Sequence, residues 1–281
     1  MQKGIHFISG LPRSGSTLLA GILRQNPNFH AGMTSPVGAL FNQLLAAMGA
    51  TQEHAVFLDE EQRRNVLRGL FDGYYCNIHP RKLVFDTNRG WCSRMPALTM
   101  LFPDSKVIAC VRDPIWVLDS FERLVRKNAL LVSGMFPGEA NATVFTRVDH
   151  LTGKLGTVGF AWNALQEAFY GEHAQRLILI DYETLTREPK RTMHRLYELL
   201  ELPSFEHDFE NVSYEEGGEF DLRLGVPGLH TLAQKVRYTE RKTVLPIELV
   251  RRFENQCFWR DKSANPSKAV ILAPQVRPRA A

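Results

Sequence analysis

No run of about 18 consecutive apolar residues interrupts this chain, so no transmembrane helix is expected. Lys3 leads straight into a short strand, without the longer apolar region and small-residue cleavage site of a signal peptide. Cysteine is scarce: Cys76, Cys92, Cys110 and Cys257 lack metal-site spacing and read as reduced, mostly buried thiols, which points to the cytosol and to no metal. No Ser/Pro/Gly-rich linker, low-complexity tract or internal repeat divides the sequence. A dense basic stripe with interleaved aromatics is also missing, which argues against nucleic acid. The net charge is only +4, spread along the chain, and such a mild positive field suits a polyanionic small ligand. What remains is 281 residues with 44% apolar content, enough for one α/β domain over 1–265, with a loose, disordered tail expected at 266–281.

The most telling absence is one lysine. Gly10-Leu11-Pro12-Arg13-Ser14-Gly15-Ser16-Thr17 keeps both glycines and the hydroxyl of a nucleotide phosphate loop, Gly-x-x-x-x-Gly-Lys-Ser/Thr. Ser16 stands where the lysine belongs, and the cation has moved inside the loop to Arg13. Backbone N–H groups at a helix N-terminus can still cradle an anion there. Without the lysine, ordinary ATP hydrolysis is poorly served. The flanks agree: Ile5, Phe7 and Ile8 form a short apolar run suited to a buried parallel strand, and Leu18, Leu19, Ile22 and Leu23 recur at helical spacing until Pro27.

Further along, helices are predicted over 36–48 and 60–76, a strand over 82–86, a helix over 92–101 and a strand over 106–111. Arg112-Asp113-Pro114 then opens a helix running to residue 128. Residues 133–147 hold Gly, Pro and Asn and are expected to form a mobile loop. A helix over 159–170, a strand over 177–180 and a helix over 189–200 complete the pattern. Strands separated by helices predict a three-layer α/β fold, a central parallel sheet flanked by helices, of the P-loop-containing class. Ligands of such sheets bind beyond the carboxyl ends of the strands, which puts residues 10–17, Asp86, Arg112 and Asp181-Tyr182 around one rim.

Arg112 follows a strand directly, and Ser120 lies about two turns into the next helix, so the pair can clamp one phosphate from two sides. Together with the loop, these motifs resemble the sulfotransferases that use 3′-phosphoadenosine 5′-phosphosulfate (PAPS). That family carries a Pro-Lys/Arg-Ser-Gly-Thr/Ser-Thr loop for the 5′-phosphosulfate, and an arginine after a strand with a serine eight positions later for the 3′-phosphate. The resemblance continues through Leu101-Phe102-Pro103-Asp104-Ser105-Lys106, Trp162-Asn163 and Asp181-Tyr182-Glu183-Thr184-Leu185, from about residue 4 to 200. Its tyrosylprotein branch, to which the motifs are closest, implies Tyr182 near the adenine. The resemblance thus implies PAPS as co-substrate, held by Arg13, Ser14, Gly15, Ser16, Thr17, Arg112, Ser120 and Tyr182, with Arg13 also catalytic. Past residue 205 the match is faint, and Lys235 and Arg237 are candidates either for the family's C-terminal nucleotide-covering loop or for plain surface. The implied acceptor is a hydroxyl or amine of a small molecule or carbohydrate, with no nucleic-acid or membrane partner and no metal.

A general base is the piece the family patterns do not supply. Where the tyrosylprotein branch has a glutamate, this chain has Met33-Thr34-Ser35-Pro36, and where the cytosolic branch has a histidine it has Asp86-Thr87-Asn88-Arg89-Gly90-Trp91. Asp86, ending a strand at the active rim, is the catalytic candidate; it could equally cap the next segment or pair with Arg89. His30, His54 and Glu53 are further candidates, Thr34 or Ser35 could orient an acceptor, and Arg89 and Trp91 could bind an anionic or aromatic one. Two other functions fit the same residues: a P-loop kinase or ATPase with an atypical loop, and a catalytically silent nucleotide-binding protein.

Overall fold

The computed structural model describes residues 4–274 apart from 132, 215–217, 262 and 264. In chain order the elements are β1 (Gly4–Gly10), α1 (Ser16–Leu23), β2 (Phe29–Ala31), α2 (Val37–Ala47), α3 (Glu60–Tyr74), β3 (Leu83–Thr87), α4 (Met95–Leu101), β4 (Val107–Val111) and α5 (Pro114–Lys127). They are followed by α6 (Val144–Thr152), α7 (Thr157–Tyr170), β5 (Leu177–Asp181), α8 (Tyr182–Arg187), α9 (Pro189–Leu199), α10 (Gly218–Arg223), α11 (Ile247–Phe253) and β6 (Val270–Leu272). The six strands pair in the order β2-β3-β1-β4-β5-β6, every pairing parallel. This is the expected α/β class, a parallel sheet between helical layers.

Two-residue alternation decides which layer each strand side chain meets. Phe7, Val84, Val107, Ala109 and Leu179 pack on one face with α3, α4 and α7. Ile8, Phe85, Ile108, Cys110 and Ile180 pack on the other with α1 and α9. Because both faces are covered, apolar side chains dominate the central strands, with His6, Ser9, Asp86, Thr87 and Asp181 as buried polar exceptions. A third cluster joins Val117, Leu118 and Phe121 of α5 to Phe136, Val226, Leu229, Leu245 and Leu249. It fastens the C-terminal segment over the carboxyl ends of the strands.

Two buried carboxylates of α5 reinforce that fastening. Asp119 accepts from Arg123, the Thr243 hydroxyl and the Val244 N–H, and is ion-paired with Arg241. Glu122 pairs with Arg126 and Arg147. α5 itself starts as its sequence suggests, with Asp113 accepting the Ile115 N–H at 2.9 Å and Pro114 in the first turn.

Two expectations need correction. Residues 133–147 are not one open loop: Gly138–Asn141 makes a 3-10 turn, and α6 begins at Val144 behind a Thr143/Thr146 capping box. Nor is 266–281 a uniform tail, because β6 pairs with β5 through Ile178↔Val270 and Ile180↔Leu272. Parallel pairing to a buried neighbour satisfies a strand too short to announce itself. Residues 275–281 lie outside the described residues.

Candidate nucleotide and transfer site

The phosphate loop is shaped by a close approach at each end. β1 ends at Gly10, whose φ is +104°, and a Cβ there would stand 2.2 Å from the Cys110 carbonyl oxygen. Gly15 caps α1 at φ +95°, with room for a Cβ only 3.0 Å from Cδ2 of Tyr182. Both conformations belong to glycine. Ser14 is buried and its hydroxyl donates to the Pro12 carbonyl at 3.3 Å, which holds the loop closed. The first N–H groups of α1 are left facing outward, as at any helix N-terminus.

Arg13 crosses from this loop to α5. Its Nε donates to the Ser120 hydroxyl at 3.0 Å. Arg112, one residue past β4, donates to the Arg13 carbonyl at 3.3 Å and lies over the Tyr182 ring with 4.1 Å from Cζ to the ring centre. Loop, strand end, α5 and the start of α8 thus converge on two guanidinium groups. Neither is ion-paired with a carboxylate among the described residues. Burial, and then the Arg112 charge, bring the Arg13 guanidinium down to about 10, against the pull of Tyr182 and Asp221. It stays protonated at neutral pH. Two like charges that act on each other favour an anion between them.

The loop and the two arginines open into a cavity of about 510 Å³. Arg13, Gly15, Ser16, Thr17, Arg112 and Tyr182 line it, and Lys235 and Arg237 close it from the C-terminal segment. Lys235 is also held to Glu210 at 2.5 Å. Met33, Thr34, Asn88, Arg89, Met135 and Leu229 are among the other residues of its wall.

A family model described as the sulfotransferase family matches residues 6–207. The chain belongs to the sulfotransferase family. Among solved structures, the sulfotransferase domain of the curacin biosynthetic pathway is 21% identical, with 90% of each chain covered and a TM-score of 0.48. The sulfotransferase domain of the Synechococcus PCC 7002 olefin synthase is 18% identical, covering 90% of this chain and 94% of that one, at a TM-score of 0.48. A sulfotransferase from Alicyclobacillus acidocaldarius is 16% identical over 80% of this chain and 90% of that one, at 0.47. No curated protein matches.

In this sulfotransferase the candidate base Asp86 is elsewhere. It is fully buried, outside the cavity, and accepts from Ser35 at 2.7 Å, Tyr75 at 2.5 Å and Trp91 Nε1 at 2.7 Å. Burial raises its pKa against those three hydrogen bonds, and burial followed by Asp86 itself raises that of Tyr75. Asp86 therefore ties β3 to the end of α3 and to the turn before α2, away from the cavity. Trp91 is spent in the same way. His54 Nε2 donates to the Ala47 carbonyl at the end of α2, Glu53 is exposed, and His30 meets the Tyr75 ring edge-on, so none of the three lines the cavity. Arg89 and Thr34 do line it.

One histidine of the cavity wall, with the buried carboxylate behind it, escaped the sequence reading. His230 lines the cavity and its Nδ1 lies 2.5 Å from Oδ1 of Asp221. Both lie beyond residue 207, outside the segment that matches the family.

Proposed function

We propose that this chain moves a sulfuryl group from PAPS to a hydroxyl or amine of a small-molecule or carbohydrate acceptor. The observation that carries the reading is the pair Arg13 and Arg112, two guanidinium groups without carboxylate partners among the described residues, set at a phosphate loop that has no lysine. A donor with a 5′-phosphosulfate and a 3′-phosphate needs two anion sites, and this donor set fits both. Arg13 with the loop Ser14–Thr17 would hold the 5′ end, Arg112 with Ser120 the 3′-phosphate, and Tyr182 the adenine side.

When bound, PAPS supplies the sulfuryl group and departs as 3′,5′-adenosine bisphosphate. Sulfuryl transfer moves a less charged group than phosphoryl transfer, so fixed donors suffice where a kinase relies on its lysine and magnesium. Arg13 and the loop amides would stabilise the negative charge that builds on the departing phosphate. Because Arg13 is held by Ser120 and by its own buried loop, little reorganisation is required of it.

Thermal unfolding with 3′,5′-adenosine bisphosphate, set against ATP with magnesium, tests the reading. A ligand at 100 times its dissociation constant adds about 2.7 kcal/mol. Stabilisation by the bisphosphate alone is expected. Stabilisation only by ATP with magnesium would replace this reading with a kinase.

A further inference from the structure

Asp221 sits on α10 and is buried, whereas His230, nine residues on, is half-buried. Two contacts clamp the histidine to the carboxylate. Asp221 Oδ1 lies 2.5 Å from Nδ1 of the ring, and Oδ2 accepts the main-chain N–H of His230 at 2.8 Å. The turn between them is held by the Val226 N–H donating to the Asp221 carbonyl at 3.0 Å. Val226 and Leu229 anchor it in the apolar cluster under α5, and the Phe220 ring stands edge-on to the imidazole at 5.6 Å. The ring nitrogen left over is Nε2, on a residue that lines the transfer cavity. Asp221 is also close enough to act on the Arg13 guanidinium.

A carboxylate at Nδ1 does two things to an imidazole. It keeps the proton on that nitrogen, leaving the lone pair on Nε2, and it stabilises the imidazolium once a second proton arrives. We propose that His230 is the general base of this site and Asp221 its positioning residue. The proposal rests on the sulfuryl-transfer reading. As the acceptor oxygen forms its bond to sulfur, its proton passes to His230 Nε2. The sulfur–oxygen bond to the 5′-phosphate breaks, and its electron pair leaves with that phosphate. A base of this kind implies an acceptor that holds its proton at neutral pH, an unactivated hydroxyl and not an acidic phenol.

The charged groups around the cavity are Asp221 on α10, Arg13 in the loop, Arg112 after β4, Arg89 after β3, and Lys235 and Arg237 in the C-terminal segment. All but Asp221 are cations, so Asp221 is the one carboxylate among them that meets the imidazole.

Long-range proton–nitrogen NMR of the 15N-labelled full chain, with His230→Gln to assign the signal, reads the tautomer directly. At pH 8 the ring should carry its proton on Nδ1, with or without saturating 3′,5′-adenosine bisphosphate. Asp221→Asn should release the tautomer. His230→Gln should keep the thermal shift given by the bisphosphate. Its breakdown of PAPS to bisphosphate and sulfate, with water as acceptor, should fall at least ten-fold and lose its pH inflection. A proton on Nε2 at pH 8, or unchanged PAPS breakdown in His230→Gln, would overturn the proposal. Loss of the bisphosphate shift in the unaltered protein would instead strike the donor reading, so the two failures are separable.

Discussion

Arg13 and Arg112 share one cavity, yet their surroundings assign them different work. Arg112 is packed flat on Tyr182 and hydrogen-bonded to the loop, a posture for binding, whereas Arg13 reaches across the loop mouth to Ser120. Hydrogen bonds to charged groups contribute roughly 1.5–3 kcal/mol, or about 10- to 100-fold in affinity. Arg112→Ala should therefore weaken binding of 3′,5′-adenosine bisphosphate by about that factor in calorimetric titration. Arg13→Ala should cost mainly turnover of PAPS, by about 100-fold, with a smaller loss of binding. Equal, small effects of both would remove these role assignments. Asp86 presents the opposite case, a carboxylate whose three donors are all structural. Asp86→Ala strands the Ser35, Tyr75 and Trp91 donors in the core and should destabilise by about 2–5 kcal/mol in urea unfolding. A stable but inactive Asp86→Ala would reinstate it as the base. That the loop, Arg112 and Ser120 come together was legible because their neighbours along the chain define them. The depth of Asp86 was not, since a strand-end carboxylate reads alike whether it meets a cavity or the core. His230 and Asp221 stayed hidden for a related reason: only the packed turn through Val226 and Leu229 brings them together.

At the scale of elements, the sheet's centre was readable and its edges were not. β1, β3, β4 and β5 are apolar runs bounded by turn residues, and each was anticipated within about a residue or two. β2 and β6 have three residues each, too few to show a period, and exist because β3 and β5 offer them a backbone edge. α6 was masked by the Gly, Pro and Asn ahead of it, although Thr143 and Thr146 cap each other reciprocally. The strand-to-loop junction is tightly constrained by both contact and conformation. With its Cβ set 2.2 Å from a main-chain oxygen and φ at +104°, Gly10→Ala must push β1 away from β4. It should destabilise by more than about 3 kcal/mol and abolish stabilisation by the bisphosphate. Gly69, whose Cβ would meet nothing within 4 Å on α3, is the control: Gly69→Ala should be neutral or stabilising by up to about 1 kcal/mol. Equal effects of the two in thermal unfolding would count against the close approach.

For the molecule as a whole, the site and the main pH liability lie at opposite ends of the same strand. β1 delivers the phosphate loop at its carboxyl end, while near its start His6 is buried against Phe85 and its Nδ1 accepts the Lys106 N–H at 3.1 Å. Burial, then the Lys106 charge, lower the His6 imidazole from 6.5 to about 4. The folded chain therefore refuses a proton that the unfolded chain accepts across that interval. Stability should fall as pH drops from about 6.5 towards 4, by about 3 kcal/mol from this group alone, and should be insensitive to it above 6.5. His6→Gln offers an oxygen to the Lys106 N–H but cannot take up the proton. Urea midpoints at neutral pH and at about pH 4.5 should show the unaltered protein losing more stability than His6→Gln, with acidic carboxylates common to both. Parallel losses would mean that His6 is protonated in the folded state, and that the sheet tolerates a charge beside Phe85. The cavity's cations respond differently. Arg13 at about 10 keeps its charge throughout this range, so bisphosphate binding should outlast the loss of stability down to the pH at which the chain unfolds.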